Sequence, residues 1–316
     1  MTKKQVIKIG KRGGKIVADK GDHKEYLREG ADGPERSKKE DAEPVSKKDE
    51  EKPEPVFVHG YRMAPAWEVV WTSELPEGNK SGCYAKVKDK KGNVIPLYTV
   101  EAKEKAALVK WGRNTAMLQD IPEMRPKLIE GMDSSNDMTK QAHEALRLID
   151  VTGMRPGSGK DTKADVKAYG ASTMEGRHLT IKGGTATFKF VGKHGVNYEV
   201  STDDPKLVKS LKTRKKAAGD GDKLWPGLND KSLLKVAKAI SPKGRPYKVK
   251  DYRTLRASTI AYEAVKGKTV GSEKELKKLK KEVSTLVSKQ LNNTPNIALN
   301  SYINPMVWEA VVGGES

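Results

Sequence analysis

The sequence predicts an α+β fold: a small β-rich domain at residues 56–105, then a mainly helical domain at 106–316 that holds one three-stranded β-sheet. Three observations carry this. Short β-branched and aromatic runs separated by turn residues fill the stretch from Val56 to about Lys103. Beyond it, apolar residues recur at helical spacing. One Gly-punctuated segment, 179–201, returns to alternation inside the helical part.

Residues 1–55 are expected to be a charged, mostly disordered extension. VIKIGKRGGKIV has the pattern of a short hairpin turned at Gly13-Gly14. From Asp32 to Pro55 nearly everything is charge, Pro, Ser or Gly, with too little apolar surface to offset ordering entropy. AWEVVWTS and GCYAKVKD then read as strands, Lys91-Gly92-Asn93 as a turn, and VIPLYTVEA as the next strand. EKAALVKWGRNTAML and QAHEALRLID have helical spacing. In LTIKGGTATFKFVGKHGVNYEVS, Gly183-Gly184 and Gly192 to Gly195 mark two turns between three strands. Helices follow at LNDKSLLKVAKAI and DYRTLRASTIAYEAV, and a long one is opened by Ser272 with Glu275 as a capping box. On that last helix Leu276, Leu279, Val283, Leu286 and Val287 share a face and lysines cover the other.

The chain has 61 Lys and Arg against 42 Asp and Glu, a formal charge of +19, and a pI near 9.6. A polyanion is therefore the expected partner. The signs within 32–55 are mixed, so the excess positive charge resides in the segments expected to fold. No stretch reaches the roughly 18 uncharged apolar residues of a membrane helix, and MTKKQVIKIG lacks the apolar core of a secretory signal. A cytoplasmic or nucleoid-associated protein, neither secreted nor membrane-bound, is the expectation. Cys83 is the one cysteine and can form no internal disulfide, and no Cys/His cluster has zinc spacing.

RPGSGKDT imitates a phosphate-binding loop, but the spacing from Gly153 to Gly159 is wrong, and Asp161 stands where Ser or Thr is required. No nucleoside triphosphate site is assigned. No paired-carboxylate or Ser/His/Asp arrangement has defensible spacing either. What remains in the helical part is a set of cations and a phenol. Attack on a phosphodiester needs a nucleophile, donors around the nonbridging oxygens, and a proton source for the departing alkoxide. Two Arg, one Lys, one amide and one Tyr meet that need without a metal. A chain with 61 basic residues contains many such sets, most of them solvated surface, so residue types alone leave the question open.

Order and local context narrow it. PAWEVVW and KDKKG, LRLIDVTGMRPG, YGASTMEGRHL, FKFVGKHGVNYEV, KDYRTLRAS and NNTPNIALNSYINP follow one another from Pro65 towards the C-terminus. Together they resemble the poxvirus and bacterial type IB DNA topoisomerases. The resemblance implies a tyrosine recombinase-like helical catalytic domain behind an amino-terminal β-rich DNA clamp. It puts the family's catalytic arginines on Arg155 and Arg253, the catalytic lysine on Lys193 and an accessory lysine on Lys250. The nucleophile falls on Tyr302 and the remaining active-site position, nine residues earlier, on Asn293. Poxvirus enzymes have His at that position and bacterial members often Asn. An amide donates a hydrogen bond but carries no titrating charge, so Asn293 is expected to position the phosphate. Lys88, Lys90, Lys91 and Tyr98 of the β domain, and Tyr169, are candidate DNA contacts. The family's basic and aromatic run after the clamp turn is replaced here by Asn93-Val94-Ile95-Pro96.

The resemblance implies a monomer clamped around double-stranded DNA, relaxing supercoils through a 3′-phosphotyrosyl intermediate with no cofactor, metal or ATP. Two alternatives are weighed. Tyrosine recombinases share the nucleophile chemistry, but they usually carry His three residues before the second arginine, where this chain has Lys250, and usually lack a β clamp. A non-catalytic basic DNA-binding protein is disfavoured because all five site residues are present.

Overall fold

The computed structural model describes residues 57–58, 61–62, 68–72, 82–89, 92–159, 161–163 and 167–312. The hairpin and charged extension expected within residues 1–55, and Lys90 and Lys91, lie outside the described residues. The chain divides into two compact units, one ending at Val109 and the other running from Lys110.

The first unit is β-rich. β1 (Phe57–Val58) pairs with β2 (Tyr61–Arg62), and β3 (Glu68–Thr72), β4 (Cys83–Lys88) and β5 (Val94–Tyr98) form an antiparallel sheet in sequence order. Along β4 the buried Ala85 and Val87 alternate with exposed Lys86 and Lys88, and Tyr84, Ala85 and Val87 form a small core against Val69, Ile95 and Leu97. Cys83 is buried. The expected turn is built by Asp89, whose carboxylate accepts from the backbone and side chain of Asn93 at 2.8 and 2.9 Å, with Gly92 left-handed at φ 80°. Pro96 is tolerated because β5 is an edge strand.

α1 (Val100–Glu130) leads into the helical unit. Pro122 and Pro126 lie inside it, and each should cost about 3 kcal/mol in a helix interior. Full burial of Met117, Met124 and Leu128 returns about 1.5–3 kcal/mol apiece, so packing holds the helix through both prolines. α2 (Asp137–Thr152) is the hub of the larger core. Asn136 caps its start by accepting from Thr139 N at 2.9 Å, and Gly153 closes it in the left-handed region at φ 70°. Its Glu144, nearly inaccessible, accepts from Trp225 Nε1 at 2.8 Å, from Arg214 Nε at 2.9 Å and from Ser210 Oγ.

β6 (Leu179–Lys182), β7 (Thr185–Val191) and β8 (Asn197–Thr202) form the expected three-stranded antiparallel sheet, with its turns at Gly183-Gly184 and Gly192–Gly195. α3 (Pro205–Ala217), capped by Asp204, carries no clear helical periodicity in its sequence. Only Leu207, Val208 and Leu211 of it are buried, too thin a stripe to stand out among its lysines. α4 (Asp230–Ala239), α5 (Val249–Val265), α6 (Glu273–Leu291), α7 (Pro295–Ser301) and α8 (Met306–Val312) complete the chain.

α6 corrects two details. Glu275 N donates to Ser272 Oγ at 3.2 Å as expected, but the Glu275 carboxylate accepts from Gly271 N rather than from the cap residue. Leu279, Val283 and Val287 are buried, whereas Leu286 is exposed. The second core is built on a narrow stripe, which Leu286 falls outside.

That second core joins the latter half of α5 (Ala257, Ala261, Val265) to α6, α7 and α8, while the first half, with Tyr252 and Leu255, belongs to the larger core. The larger core also takes in the sheet through Phe188, Phe190, Tyr198 and Val200. Among the described residues no helix is long and apolar enough to cross a membrane.

Candidate active site

The left-handed turn at Gly153 ends α2 and swings the chain so that Arg155 follows two residues later. The loop is pinned where it crosses the strand-leading segment: Ala171 N donates to Arg155 O at 2.8 Å. A Cβ on Gly170 would meet Gly157 N at 2.4 Å and Arg155 O at 2.7 Å, so this crossing requires glycine. Tyr169 N donates to Val191 O at 2.8 Å, tying the same segment to the end of β7.

Lys193 sits in the β7–β8 connection, closed by Gly192 N donating to Val196 O at 2.8 Å, and its side chain is exposed. From another direction, α6 ends in Asn292, the one non-glycine residue with positive φ (47°) among those described. Its amide donates to Asn197 O at 2.7 Å, which docks the turn on β8 and delivers Asn293.

These elements enclose a cavity of about 360 Å³, lined by Arg155, Tyr169, Phe190, Lys193, Tyr198 and Asn293 among others. Both side-chain atoms of Asn293 are buried and find no hydrogen-bond partner. Unpaired buried amide atoms cost about 1–3 kcal/mol each, a penalty that an incoming polar group would remove. The guanidinium of Arg155 and the ammonium of Lys193 make no ion pair or hydrogen bond among the described residues. Tyr169 is committed otherwise: its hydroxyl accepts from Arg177 Nη2 at 3.0 Å, and its ring meets His178 edge-on at 4.4 Å.

Arg253, in the second turn of α5, is 3% exposed. It donates from Nη1 to Gly153 O and from Nη2 to Leu291 O at 2.7 Å. Those carbonyls belong to the ends of α2 and α6, where helix dipoles leave partial negative charge. No carboxylate pairs with Arg253 among the described residues, and its Nε is buried without a partner. Its guanidinium carbon stands 4.8 Å from the centre of the Tyr302 ring. Tyr302 terminates α7 and packs partly buried against the second core.

Tyr198 joins the two groups. Burial pushes its phenol above the usual range; the charges of Arg253 and Arg155 oppose the shift and Tyr302 adds to it. Arg155, Arg253 and Tyr302 thus each lie within electrostatic reach of Tyr198. Lys250 is exposed on the first turn of α5 and does not line the cavity. It bears on Lys110, whose pKa is pushed down to about 8 by burial and then by the Lys250 charge, against a raising effect of Asp251. In the first unit Lys88 is exposed and Tyr98 partly so. Tyr198, Lys110 and Asn304 join these residues without being marked as site residues by any motif. Tyr198 is an inward position of alternating NYEV, and Asn304 follows Tyr302 by two residues in NNTPNIALNSYINP, whereas nothing near Lys110 distinguishes it.

Comparison with known proteins gives the class. A model of the eukaryotic DNA topoisomerase I catalytic core matches residues 99–305. DNA topoisomerase 1B of Acanthamoeba polyphaga mimivirus is 27% identical over 267 residues, 78% of this chain and 76% of that one. DNA topoisomerase 1 of Schizosaccharomyces pombe is 29% identical over 168 residues, 52% of this chain but only 20% of the yeast protein. Among solved structures, the XerH site-specific recombinase bound to difH substrate in a pre-cleavage complex overlaps 58% of this chain and 49% of its own, with 14% identity and a TM-score of 0.38. Since the family match covers well over half the chain, it belongs to the DNA topoisomerase I catalytic-core family, as a type I topoisomerase of the IB class.

Proposed function

We propose that the chain relaxes supercoiled duplex DNA by cutting and resealing one strand, with Tyr302 as the nucleophile and no need of ATP or a metal. The phenolic oxygen of Tyr302 forms a bond to a backbone phosphorus as the bond from phosphorus to the 5′-oxygen breaks. The phenol gives up its proton, and Lys193 supplies one to the departing 5′-oxygen, assisted by Arg155 and Lys250. The 3′-phosphotyrosyl ester keeps the energy of the broken linkage, so the 5′-hydroxyl reverses the step once the downstream duplex has rotated. Arg155, Arg253 and Asn293 hold the nonbridging oxygens. The chain acts as a monomer closed around duplex DNA by its β-rich domain at 56–105, leaving 106–316 for catalysis.

The observation that carries this reading is Arg253. A guanidinium buried at 3% exposure, held by two neutral carbonyls with Nε unfilled and stacked on the Tyr302 ring, lacks the counter-anion that a buried cation needs. A phosphate beside the tyrosine supplies it. The orphaned amide of Asn293 in the neighbouring cavity supports the same ligand.

The test is plasmid relaxation in EDTA without nucleotide, alongside Tyr302→Phe. Relaxation by the wild type, with DNA binding but no protein–DNA adduct from the variant, is the expected pair of results. An adduct surviving Tyr302→Phe removes the assignment, and strand exchange between two sites without relaxation favours the recombinase reading.

A further inference from the structure

The Tyr302 segment leaves regular structure where its placement matters most. Tyr302 has φ −130° and ψ −28°, so α7 stops there, and helix ends leave carbonyls without partners. Two of these find donors on distant helices. Lys110 Nζ, on α1, donates to Ser301 O, and Ser258 Oγ, on α5, donates to Tyr302 O at 3.2 Å. Ser258 Oγ also accepts from Asn304 N at 3.1 Å, bridging the residues on either side of Ile303.

Asn304 completes the knot. It is 2% exposed, and its amide nitrogen reaches Thr115 Oγ1 at 3.0 Å, Asn114 Oδ1 at 3.1 Å and, more weakly, Trp111 O at 3.5 Å, all on α1. Its amide oxygen accepts from Met306 N at 3.1 Å, which opens α8. We infer that Asn304, with Ser258 and Lys110, is the positioning device of the tyrosine: the backbone is clamped to α1 and α5 on both sides of Tyr302, so the phenol projects from a fixed point.

The proposal rests on Tyr302 being the nucleophile. A buried polar group held by several partners specifies geometry, because any displacement of the segment unpairs several at once. A group held to one place by four partners is a costly way to stabilise a short turn, but it suits an oxygen that must stand in line with a phosphorus–oxygen bond. Misplacement of a reacting atom by about 1 Å costs on the order of 10²-fold in rate.

Single-turnover adduct formation on a duplex with a short, dissociable 5′-hydroxyl leaving strand tests it, together with noncovalent DNA affinity and melting temperature of the same proteins. Asn304→Leu and Ser258→Ala are expected to slow adduct formation by about 10- to 100-fold, with affinity within about twofold. The slowing should persist well below each variant's melting temperature, and the double variant should be less than multiplicative. Lys110→Met, a change on a half-buried side chain, is expected to slow the same step less, and Lys110→Arg to restore part of it. If rates at low temperature return to wild type, or fall only as the folded fraction falls, the segment is merely structural and the inference is overturned. Tyr302→Phe runs in parallel: an adduct from it defeats the nucleophile assignment, whereas a silent Tyr302→Phe beside a fully active Asn304→Leu and Ser258→Ala defeats the positioning role alone.

Discussion

At the scale of single residues, what distinguishes Arg253 from the other arginines is the company it keeps. Arg147 and Arg214 satisfy themselves on Asp150, Asp204, Asp137 and Glu144, whereas Arg253 has two carbonyls, Tyr198 and the Tyr302 ring, and no carboxylate among the described residues. Its charge is therefore not neutralised before a ligand arrives. Lysine cannot reproduce the planar fork that spans both carbonyls, so Arg253→Lys is expected to lower adduct formation by about 10²- to 10³-fold while the variant still binds duplex, as measured by single-turnover cleavage against filter binding. Lys110 gives a pH-dependent signature. Its pKa falls from 10.5 to about 8 on folding, so the folded state binds this proton less tightly than the unfolded one. Its charged form then works against stability below pH 8, and that penalty is relieved as pH rises between about 8 and 10.5. Melting curves across that window should rise more steeply with pH for wild type than for Lys110→Met; parallel slopes would show that burial of this ammonium has no consequence.

Among the elements, helix ends do most of the arranging. α2 and α6 both close in left-handed turns, at Gly153 and Asn292. The carbonyls at those ends hold Arg253, and the residues beyond them include Arg155 and Asn293. Asn292 is tolerated at φ 47° because asparagine visits that region more readily than most residues, and its amide is anchored on Asn197 O. Asn292→Ala loses both advantages, with an expected cost of about 1–2 kcal/mol in urea unfolding. Cleavage should fall further than stability alone explains, since Asn293 loses its aim. The sheet contributes in the same manner: the β7–β8 connection carries Lys193, and Gly195, left-handed at φ 73°, permits the tight return.

Over the whole molecule, α5 stitches two cores together, its first half packed in the larger and its second half in the smaller. Arg253 lies just before that junction and Ser258 just after it, so the cavity on one side and the tyrosine on the other are referred to a single rigid helix. The formal charge of +19 sets the long-range behaviour. Duplex affinity should fall linearly in log–log form with salt, each neutralised phosphate contributing a slope of about −0.9. Lys193→Ala, removing one such contact, should flatten the slope by about one; an unchanged slope would place Lys193 away from the DNA.

Much of this was legible in the chain itself. Alternation and glycine pairs located the three-stranded sheet and its turns, and helical spacing located α2, α4, α5 and α6, because those patterns arise from local geometry and from which face must be buried. The motifs and the family resemblance they carry point to Arg155, Lys193, Arg253, Asn293 and Tyr302. Other features had no local signature. α3 hides behind its lysines, Leu286 shares the apolar face of α6 yet falls outside the narrow second core, Lys110 looks like any surface lysine, and the motif around Asn304 does not say what its amide meets. Arg253 donates to carbonyls 100 and 38 positions away, and Asn304 to a helix some 190 positions earlier. A sequence states which groups can donate and accept; only the folded chain decides which of them meet, because a hydrogen bond depends on distance in space and not along the chain.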